Sequence, residues 1–426
     1  MKRSIGIIVL AIVCSASIAI AQEAFVITPE LEAHMEAIED YTSELRELEE
    51  LEPLAREFPT RQEVVDYLQA TFDADLPDEI AEREVQFYVA FDFLPEGTNL
   101  RDIYLELLGS QVAGFYDPDT KEMNVVLITD DAPGDTLPLM EQIVYSHEYT
   151  HALQDQHFGL REMGFDNEQA LSAPDRLLAI QALIEGDATV VMTLYTQAAA
   201  ADNPFAALQL LAQGLQAGNL FLPEDTPPIL AQELLFPYNN GAEFVLALFR
   251  EGGWTRVNQA YTDLPQSTEQ ILHPERYLNG DMPQAVTLEN AEATLGDGWT
   301  LLLDRTMGEF YLREYLATQL PRREAREAAA GWGGDRYHIY QNEATGELAW
   351  VLRMVWDTPD DGAQFNTAFE AFGDTRFEDG ARDESCWSDA DDALCYVFDG
   401  AASTITFAPM LEMALALLER QPVESS

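Results

Sequence analysis

The chain has 426 residues, of which 76 are acidic and 23 are basic, so its formal net charge is −53 at pH 7. An electrostatic field of this sign repels nucleic acids and anionic lipids, and we expect neither to be a partner. The hydrophobic fraction of 47% is typical of a folded protein, so the charge indicates an acidic surface suited to salty surroundings and does not indicate disorder.

The N-terminus has the pattern of a secretory signal. Two basic residues precede an apolar run at 5–20, and the pattern Ala-Ile-Ala ends at Ala21. We expect cleavage there and a secreted or periplasmic mature chain of residues 22–426. The run is too short for a comfortable membrane span and no later stretch reaches about 18 apolar residues, so we expect no span in the mature chain. The alternative is a lipoprotein attached at Cys14, although Val13 is bulkier than lipid attachment normally requires.

Two cysteines remain after that cleavage, Cys386 and Cys395, nine positions apart. In an oxidising compartment such a pair predicts a short disulfide across a hairpin or loop. A pair of metal ligands is the alternative.

The first part of the mature chain has helical patterning. Between 29 and 54, apolar residues recur every three or four positions among glutamates, which predicts one long amphipathic helix. Further helices are predicted at 61–71, 77–90 and 99–109.

A hairpin then interrupts the helices. Residues 111–116 and 122–128 alternate as strands do, and the Asp-Pro-Asp-Thr segment at 117–120 has the residues of a tight turn. Helical patterning returns at 139–158, at about 175–198 and, after a polar loop near 223–228, at about 240–251. This order predicts an α+β fold with a small antiparallel sheet and mostly helical surroundings.

Beyond about residue 280 the pattern changes again. We divide the chain into a signal at 1–21, a first domain at 22–280 and a C-terminal α+β region of unknown role at 281–426. Its predicted elements are helical segments at 308–329, strands at 335–341 and 346–356, a helix at 362–372, strands near 393–407 and a helix at 409–420.

The residues that carry chemistry lie in the helix predicted at 139–158. His147-Glu148-Tyr149-Thr150-His151 is the His-Glu-x-x-His pattern. Residues four apart share a helix face, so both imidazoles can bind one zinc ion while Glu148 faces the water on the metal. The alternative is two unrelated surface histidines.

A catalytic zinc site usually has three protein ligands, and the next helix offers the third. Glu185 lies in an apolar helix, where a buried carboxylate is costly unless it binds a metal. Gly186 would let two helices approach closely at this point. A solvated Glu185 is the alternative, with Asp187 as the substitute ligand.

These segments resemble known metallopeptidases. Residues 147–155 look like the active-site helix of the thermolysin-type gluzincins of peptidase clan MA, and residues 184–188 resemble the glutamate helix of the M1 aminopeptidases. A third segment, Tyr238-Asn239-Asn240-Gly241-Ala242, is similar to the Tyr-x-x-Gly-Ala segment of the M1 enzymes, in which the tyrosine hydroxyl stabilises the oxyanion. The resemblance covers about 111–275. It implies a zincin-like fold, one Zn²⁺ per chain and peptidase activity, with Tyr238 as the oxyanion donor.

One departure concerns the substrate strand. Where the M1 enzymes carry a Gly-x-Met-Glu-Asn strand, this chain has Gly114, Phe115 and Tyr116, and the glutamate that holds a substrate's free amine is missing. A strand can still pair with an extended peptide through its backbone. We therefore expect an endopeptidase more than an aminopeptidase, and the long gap between His151 and Glu185 predicts an inserted loop at about 159–173.

Three further residues have open roles. Asp155, one turn after His151, is expected to orient a ligand imidazole from behind, with a solvated position as the alternative. Asp187 is a second carboxylate of this kind. His273 is a candidate donor to the oxyanion, with a loop or capping role as the alternative.

Together these residues predict a peptidase that acts on a peptide or protein substrate through a metal-activated water, with Glu148 as general base. Two other functions remain. One is a gluzincin-fold binding or scaffold protein that retains the metal without turnover, and the other is a structural secreted protein with an adventitious metal site.

Overall fold

The structure is a computed structural model that describes residues 27–110, 114–125, 134–163, 173–202, 222–223 and 225–421. The signal segment and most of the expected loop at 159–173 lie outside these residues. The chain divides into two compact units. The first unit comprises Met1–Ala81, Asn99–Ala170 and Ile180–Leu264, and the second comprises Glu82–Thr98, Leu171–Ala179 and Pro265–Ser426. Both units combine helices with a sheet, so the fold is α+β.

The first unit contains four described helices of 18 residues or more. They are the N-terminal helix Pro29–Arg46, the histidine helix Leu139–Phe158, the glutamate helix Pro174–Asp202 and the kinked helix Pro228–Ala260. The first six residues of the glutamate helix belong to the second unit. The remaining helices before the hairpin are Arg61–Asp75, Asp78–Ala90 and Leu100–Ser110.

The N-terminal helix is shorter than the sequence predicts, because it ends at Arg46 and not at 54. Glu47 adopts a left-handed conformation with φ 56°, which turns the chain out of the helix. The indole of Trp254 donates to the carbonyl of Leu45 at 2.9 Å, so one of the last carbonyls of the helix is bonded by a side chain. The helix packs its apolar face against Tyr145 and Tyr149 of the histidine helix within one buried cluster.

The sheet of the first unit has three strands in the order Ala55–Glu57, Glu122–Val125, Gly114–Asp117. The last two pair antiparallel and form the expected hairpin, with Tyr116 opposite Met123, and the short strand at 55 was not foreseen. Residues 111–113 and 126–128, where the strands were expected to extend, lie outside the described residues. Among the described strands, Gly114–Asp117 is an edge, and we call it the edge strand.

The kinked helix is much longer than the segment predicted at 240–251. It begins at Pro228 and continues through Pro237. At Gly252 and Gly253 the backbone leaves helical geometry, with φ 64° at Gly253, a value that glycine adopts without strain. The segment after this break brings Trp254 to the end of the N-terminal helix.

The second unit is built on a seven-stranded antiparallel sheet. In sheet order its strands are Trp299–Arg305, Trp332–Asn342, Leu348–Trp356, Ala402–Ala408, Ala393–Phe398, Cys386–Ser388 and Ala381–Asp383. Its helices after residue 265 are Thr268–Leu272, Pro274–Asn279, Glu292–Leu295, Gly308–Ala317, Arg322–Ala329, Pro359–Arg376 and Leu411–Arg420. Cys386 and Cys395 face each other on neighbouring strands and are joined by a disulfide.

Candidate metal centre

The histidine helix has local reasons to form where it does. No glycine or proline interrupts Leu139–Phe158, and Gly159 ends it in a left-handed conformation with φ 67°. Its middle turns are buried, so His147, Glu148 and His151 lie inside the first unit. Because His147 and His151 are four residues apart, their rings project from the same side of the helix.

Three donor atoms converge on one point. The Nε2 atoms of His147 and His151 are 3.2 Å apart. The Oε2 atom of Glu185 lies 3.3 Å from the first and 3.5 Å from the second. A tetrahedral zinc ion with ligands at about 2.0–2.1 Å requires ligand atoms about 3.3–3.4 Å apart. These three residues therefore have the spacing of a zinc site, and they are the one group of its kind found in the described part of the chain.

Burial makes a cation at this point favourable. Glu185 is completely buried, and its Oε1 atom has no hydrogen-bond partner among the residues that the structure describes. A buried carboxylate oxygen without a partner costs free energy that a bound cation would remove. The donor set, two imidazoles and one carboxylate, is one that zinc prefers.

His151 and Glu185 shift each other's pKa in opposite directions. Burial would lower the pKa of His151, but the charge of Glu185 and its hydrogen bond raise it to about 9. Burial would likewise raise the pKa of Glu185, yet the two histidines lower it to about 2. Zinc binds the deprotonated ring, so a zinc ion that bound this cluster would displace a proton from it.

Glu148 lies beside the cluster, against the edge strand. The backbone N–H of Tyr116 donates to its Oε2 atom at 3.1 Å, and no described residue bonds its Oε1 atom. Burial raises the pKa of Glu148 to about 8. The edge strand thus turns one main-chain donor toward the same carboxylate that the sequence predicts as the base. Gly114, Phe115 and Tyr116 all lie in this strand.

A small recess of ≈ 10 Å³, about the room that one water molecule needs, lies beside Glu148. Its walls include Gly114 of the edge strand, Val125 of the neighbouring strand and Val144 of the histidine helix. Asn124 and Glu141 add polar groups to this wall.

Tyr238 also belongs to this group. Its ring is stacked on that of His147, with centroids 6.1 Å apart and an interplanar angle of 26°. Tyr238 lies inside the kinked helix, which begins ten residues before it and not near residue 240 as the sequence predicts.

The glutamate helix and the kinked helix cross closely near Glu185 and Tyr238. A Cβ atom on Gly186 would lie 2.2 Å from the carbonyl carbon of Gly241, and one on Gly241 would lie 2.0 Å from the carbonyl oxygen of Ala182. No side chain fits at either glycine. The close approach expected at Gly186 is therefore made with the kinked helix.

The expected role of Asp155 needs a correction. Its carboxylate accepts from the Tyr116 hydroxyl at 2.9 Å and from the backbone N–H of Leu160 at 2.9 Å. The partner of a ligand imidazole is instead Gln154, whose Oε1 atom lies 2.8 Å from Nδ1 of His151. Position 154 is about one helical turn after His151, as position 155 is, so the same spacing along the helix indicates it.

Asp187 is engaged elsewhere than at the metal cluster. Its carboxylate accepts from Arg46 at 2.7 and 3.0 Å and from the Tyr261 hydroxyl at 2.7 Å. It also accepts from the Gln154 amide at 3.2 Å. These bonds place Asp187 next to Gln154, which contacts His151, and they do not support the role of substitute ligand.

His273 has a structural environment in the second unit. Its Nε2 atom lies 3.0 Å from the Oε1 atom of Glu309, a fully buried carboxylate that also pairs with Arg313. Both flanking groups are charged, so the ring is held within an ion-pair cluster. This contact supports the loop alternative and not the role of oxyanion donor.

Comparison with known proteins gives one match. Residues 301–417 match a family described as a domain of unknown function, DUF8575. No curated protein and no solved structure matches the chain. The matched segment lies within the second unit, so it contains none of the residues of the candidate metal centre.

One described helix, Pro174–Ala201, is long and apolar enough to cross a membrane. In its most apolar stretch 67% of the residues are buried within the protein, which a core helix would also show. It carries Glu185 and Asp187, and both side chains are buried inside the protein.

Proposed function

We propose that the protein is a secreted zinc peptidase with a gluzincin-like, zincin-type catalytic domain. One observation carries the proposal: three donors on two helices have the mutual distances of a tetrahedral zinc site, with the Glu148 carboxylate next to them. His147, His151 and Glu185 would hold one zinc ion per chain, leaving a fourth position for water.

The chain's own residues supply the rest of the chemistry. A zinc ion held there would acidify water and polarise the scissile carbonyl. The Oε1 atom of Glu148, which has no partner in the described part of the chain, takes the proton of the attacking water and later gives it to the leaving amine. Tyr238, stacked on His147, donates its hydroxyl proton in a hydrogen bond to the carbonyl oxygen as that oxygen gains negative charge.

The substrate that suits this site is an extended peptide. The edge strand can pair with a peptide backbone beside Glu148. The strand has no glutamate to hold a free amine, so we propose an endopeptidase more than an aminopeptidase. The secretory signal pattern supports a location outside the cytoplasm.

A binding or scaffold protein that keeps the metal without turnover is the second candidate. A scaffold that only binds a metal would need the three ligands and would not need Glu148. Loss of the Glu148 carboxylate, whose Oε1 atom has no partner among the described residues, would leave those ligands intact. The third candidate is a structural protein with an adventitious site. Such a protein would not need donor atoms at the mutual distances of a tetrahedral zinc site.

Metal analysis combined with casein hydrolysis, with and without a chelator, separates the three candidates. A peptidase should hold about one zinc per chain, cleave casein, lose cleavage with chelator and regain it with zinc. Stoichiometric zinc without cleavage would favour the scaffold. Substoichiometric metal and no cleavage would favour the structural protein and overturn the proposal.

Removing the hydroxyl of Tyr238 tests the oxyanion role. In Tyr238→Phe the ring that stacks on His147 remains, and only the donor is lost. We expect kcat to fall by roughly 10²–10³-fold with KM almost unchanged, because the bond strengthens only as the oxyanion forms. The measurement is steady-state cleavage of a fluorogenic peptide.

Tyr195→Phe is the matched control, because the Tyr195 hydroxyl bonds Gln142 of the histidine helix at 3.0 Å, away from the ligands. Its kcat should stay near that of the wild type. Wild-type kcat in Tyr238→Phe would show that the ring at position 238 serves packing alone.

A further inference from the structure

The amide of Gln154 can be oriented in only one way. Its Nε2 atom lies 3.0 Å from the carbonyl of Ile184 and 3.2 Å from the Asp187 carboxylate, and both of these groups only accept hydrogen bonds. The amide nitrogen must therefore face them. The amide oxygen must then face Nδ1 of His151, at 2.8 Å.

This orientation determines the tautomer of His151. An amide oxygen cannot donate, so Nδ1 of the ring must carry a proton. In the neutral ring the lone pair then lies on Nε2, the atom that converges with His147 and Glu185. An imidazole without such a partner distributes its proton between both nitrogens, and part of that population cannot bind a metal through Nε2.

Asp187 is held in place by three other donors. The guanidinium of Arg46 meets it with two nitrogens, a bidentate pairing that sets the plane of the carboxylate. The Tyr261 hydroxyl bonds the same oxygen that receives the Gln154 amide. Asp187 therefore presents a defined acceptor to Gln154.

Arg46 is the distal end of this arrangement, and its position has a structural cause. It is the last residue of the N-terminal helix, is completely buried and is 141 residues from Asp187 in sequence. Its second contact is the side-chain oxygen of Asn258 at 2.7 Å, and its guanidinium lies 4.4 Å from the ring centroid of Trp254. A buried guanidinium is tolerable only with such partners, so the geometry of Arg46 and Asp187 is mutually dependent.

We propose that Arg46, Asp187 and Gln154 form a positioning network that selects the metal-binding tautomer of His151 and so makes the N-terminal helix part of the zinc site. The network rests on the proposed zinc function. It acts through His151 and touches neither metal nor substrate. Outer partners of metal-bound histidines typically contribute about 10–100-fold to metal affinity, which is the effect expected here.

The test is the zinc dissociation constant of the full mature chain, measured by competition with a chromogenic chelator, together with its melting temperature without zinc. Gln154→Met keeps the length of the side chain and removes both polar atoms. Gln142→Met is the matched control. Gln142 lies on the same helix, donates to the Leu137 carbonyl at 2.7 Å and accepts from Tyr195, but does not bond a ligand.

We expect Gln154→Met to weaken zinc binding by about 10–100-fold, while Gln142→Met stays within about twofold of the wild type. Both variants should melt at a lower temperature. A purely structural role of Gln154 would lower the melting temperature without separating the two zinc affinities. Equal zinc affinities in the two variants would overturn the network and leave the zinc site standing, whereas a wild-type chain that binds no zinc would overturn both.

Tyr261→Phe carries the test if Gln154→Met does not fold. The substitution removes one donor to Asp187 and keeps the ring that stacks on Phe158 at 4.1 Å. We expect zinc affinity to fall several-fold. Unchanged affinity in Tyr261→Phe would overturn the network.

Discussion

Replacing Glu148 by Gln should give a folded, zinc-loaded protein whose peptidase activity is lower by roughly 10²–10⁴-fold. The amide keeps the length and shape of the side chain but cannot accept the proton of the attacking water. It can still accept a hydrogen bond from the Tyr116 backbone, because the amide oxygen can take the place of the Oε2 atom at that contact. The loss should therefore appear in kcat and not in zinc content.

The measurement is kcat for a fluorogenic peptide together with zinc content and melting temperature. Glu148→Asp is the matched variant, since it keeps a carboxylate but withdraws it by one methylene. Its activity should lie between those of the wild type and Glu148→Gln. Activity of Glu148→Gln within tenfold of the wild type would exclude Glu148 as the general base.

Replacing Glu185 by Ala should have the largest effect on the metal. The variant removes one of three converging donors, and the two remaining histidines form an incomplete set for zinc. We expect zinc affinity to fall by more than the roughly 100-fold that marks the upper end for outer partners. Activity should fall with it at any zinc concentration below saturation.

Asp187→Asn provides the comparison, because Asp187 lies two residues away on the same helix but bonds Arg46, Tyr261 and Gln154. Its effect on zinc affinity should be the smaller of the two. Full zinc stoichiometry in Glu185→Ala under mild chelation would show that Glu185 is not the third ligand, and Asp187 would become the next residue to test.

The local part of the candidate site could be predicted from the sequence. The spacing of His147 and His151 on an uninterrupted helix determines that their rings share a face, and this needs no knowledge of the fold. Glu185 stood out because a carboxylate in an apolar helix needs a partner. Both predictions depend on residues close to one another along the chain.

The long-range contacts could not be predicted in this way. Nothing in the residues near Arg46 indicates a partner 141 positions later, because that pairing depends on where the N-terminal helix ends. That end depends in turn on Glu47 and on Trp254, which a backbone break at Gly252 and Gly253 brings there. Each step is a tertiary effect that helical periodicity does not encode.

The extent of the kinked helix was missed for a local reason. Pro237 interrupts the pattern, since proline removes a backbone donor, and the sequence therefore predicted a later start at about 240. The structure continues the helix through this proline. The environment of His273 could not be predicted for a different reason: its partners, Glu309 and Arg313, lie on an element distant in sequence.

The contact between Gly186 and Gly241 constrains how this protein can change over time. Neither position has room for even a methyl group. Replacing either glycine would therefore shift the backbone that carries Glu185 or the backbone that carries Tyr238. A second substitution cannot compensate for the first, because the opposing atoms belong to the main chain, which every amino acid has. Laboratory evolution toward new substrates should therefore accumulate changes around the recess and the edge strand while positions 186 and 241 remain glycine throughout.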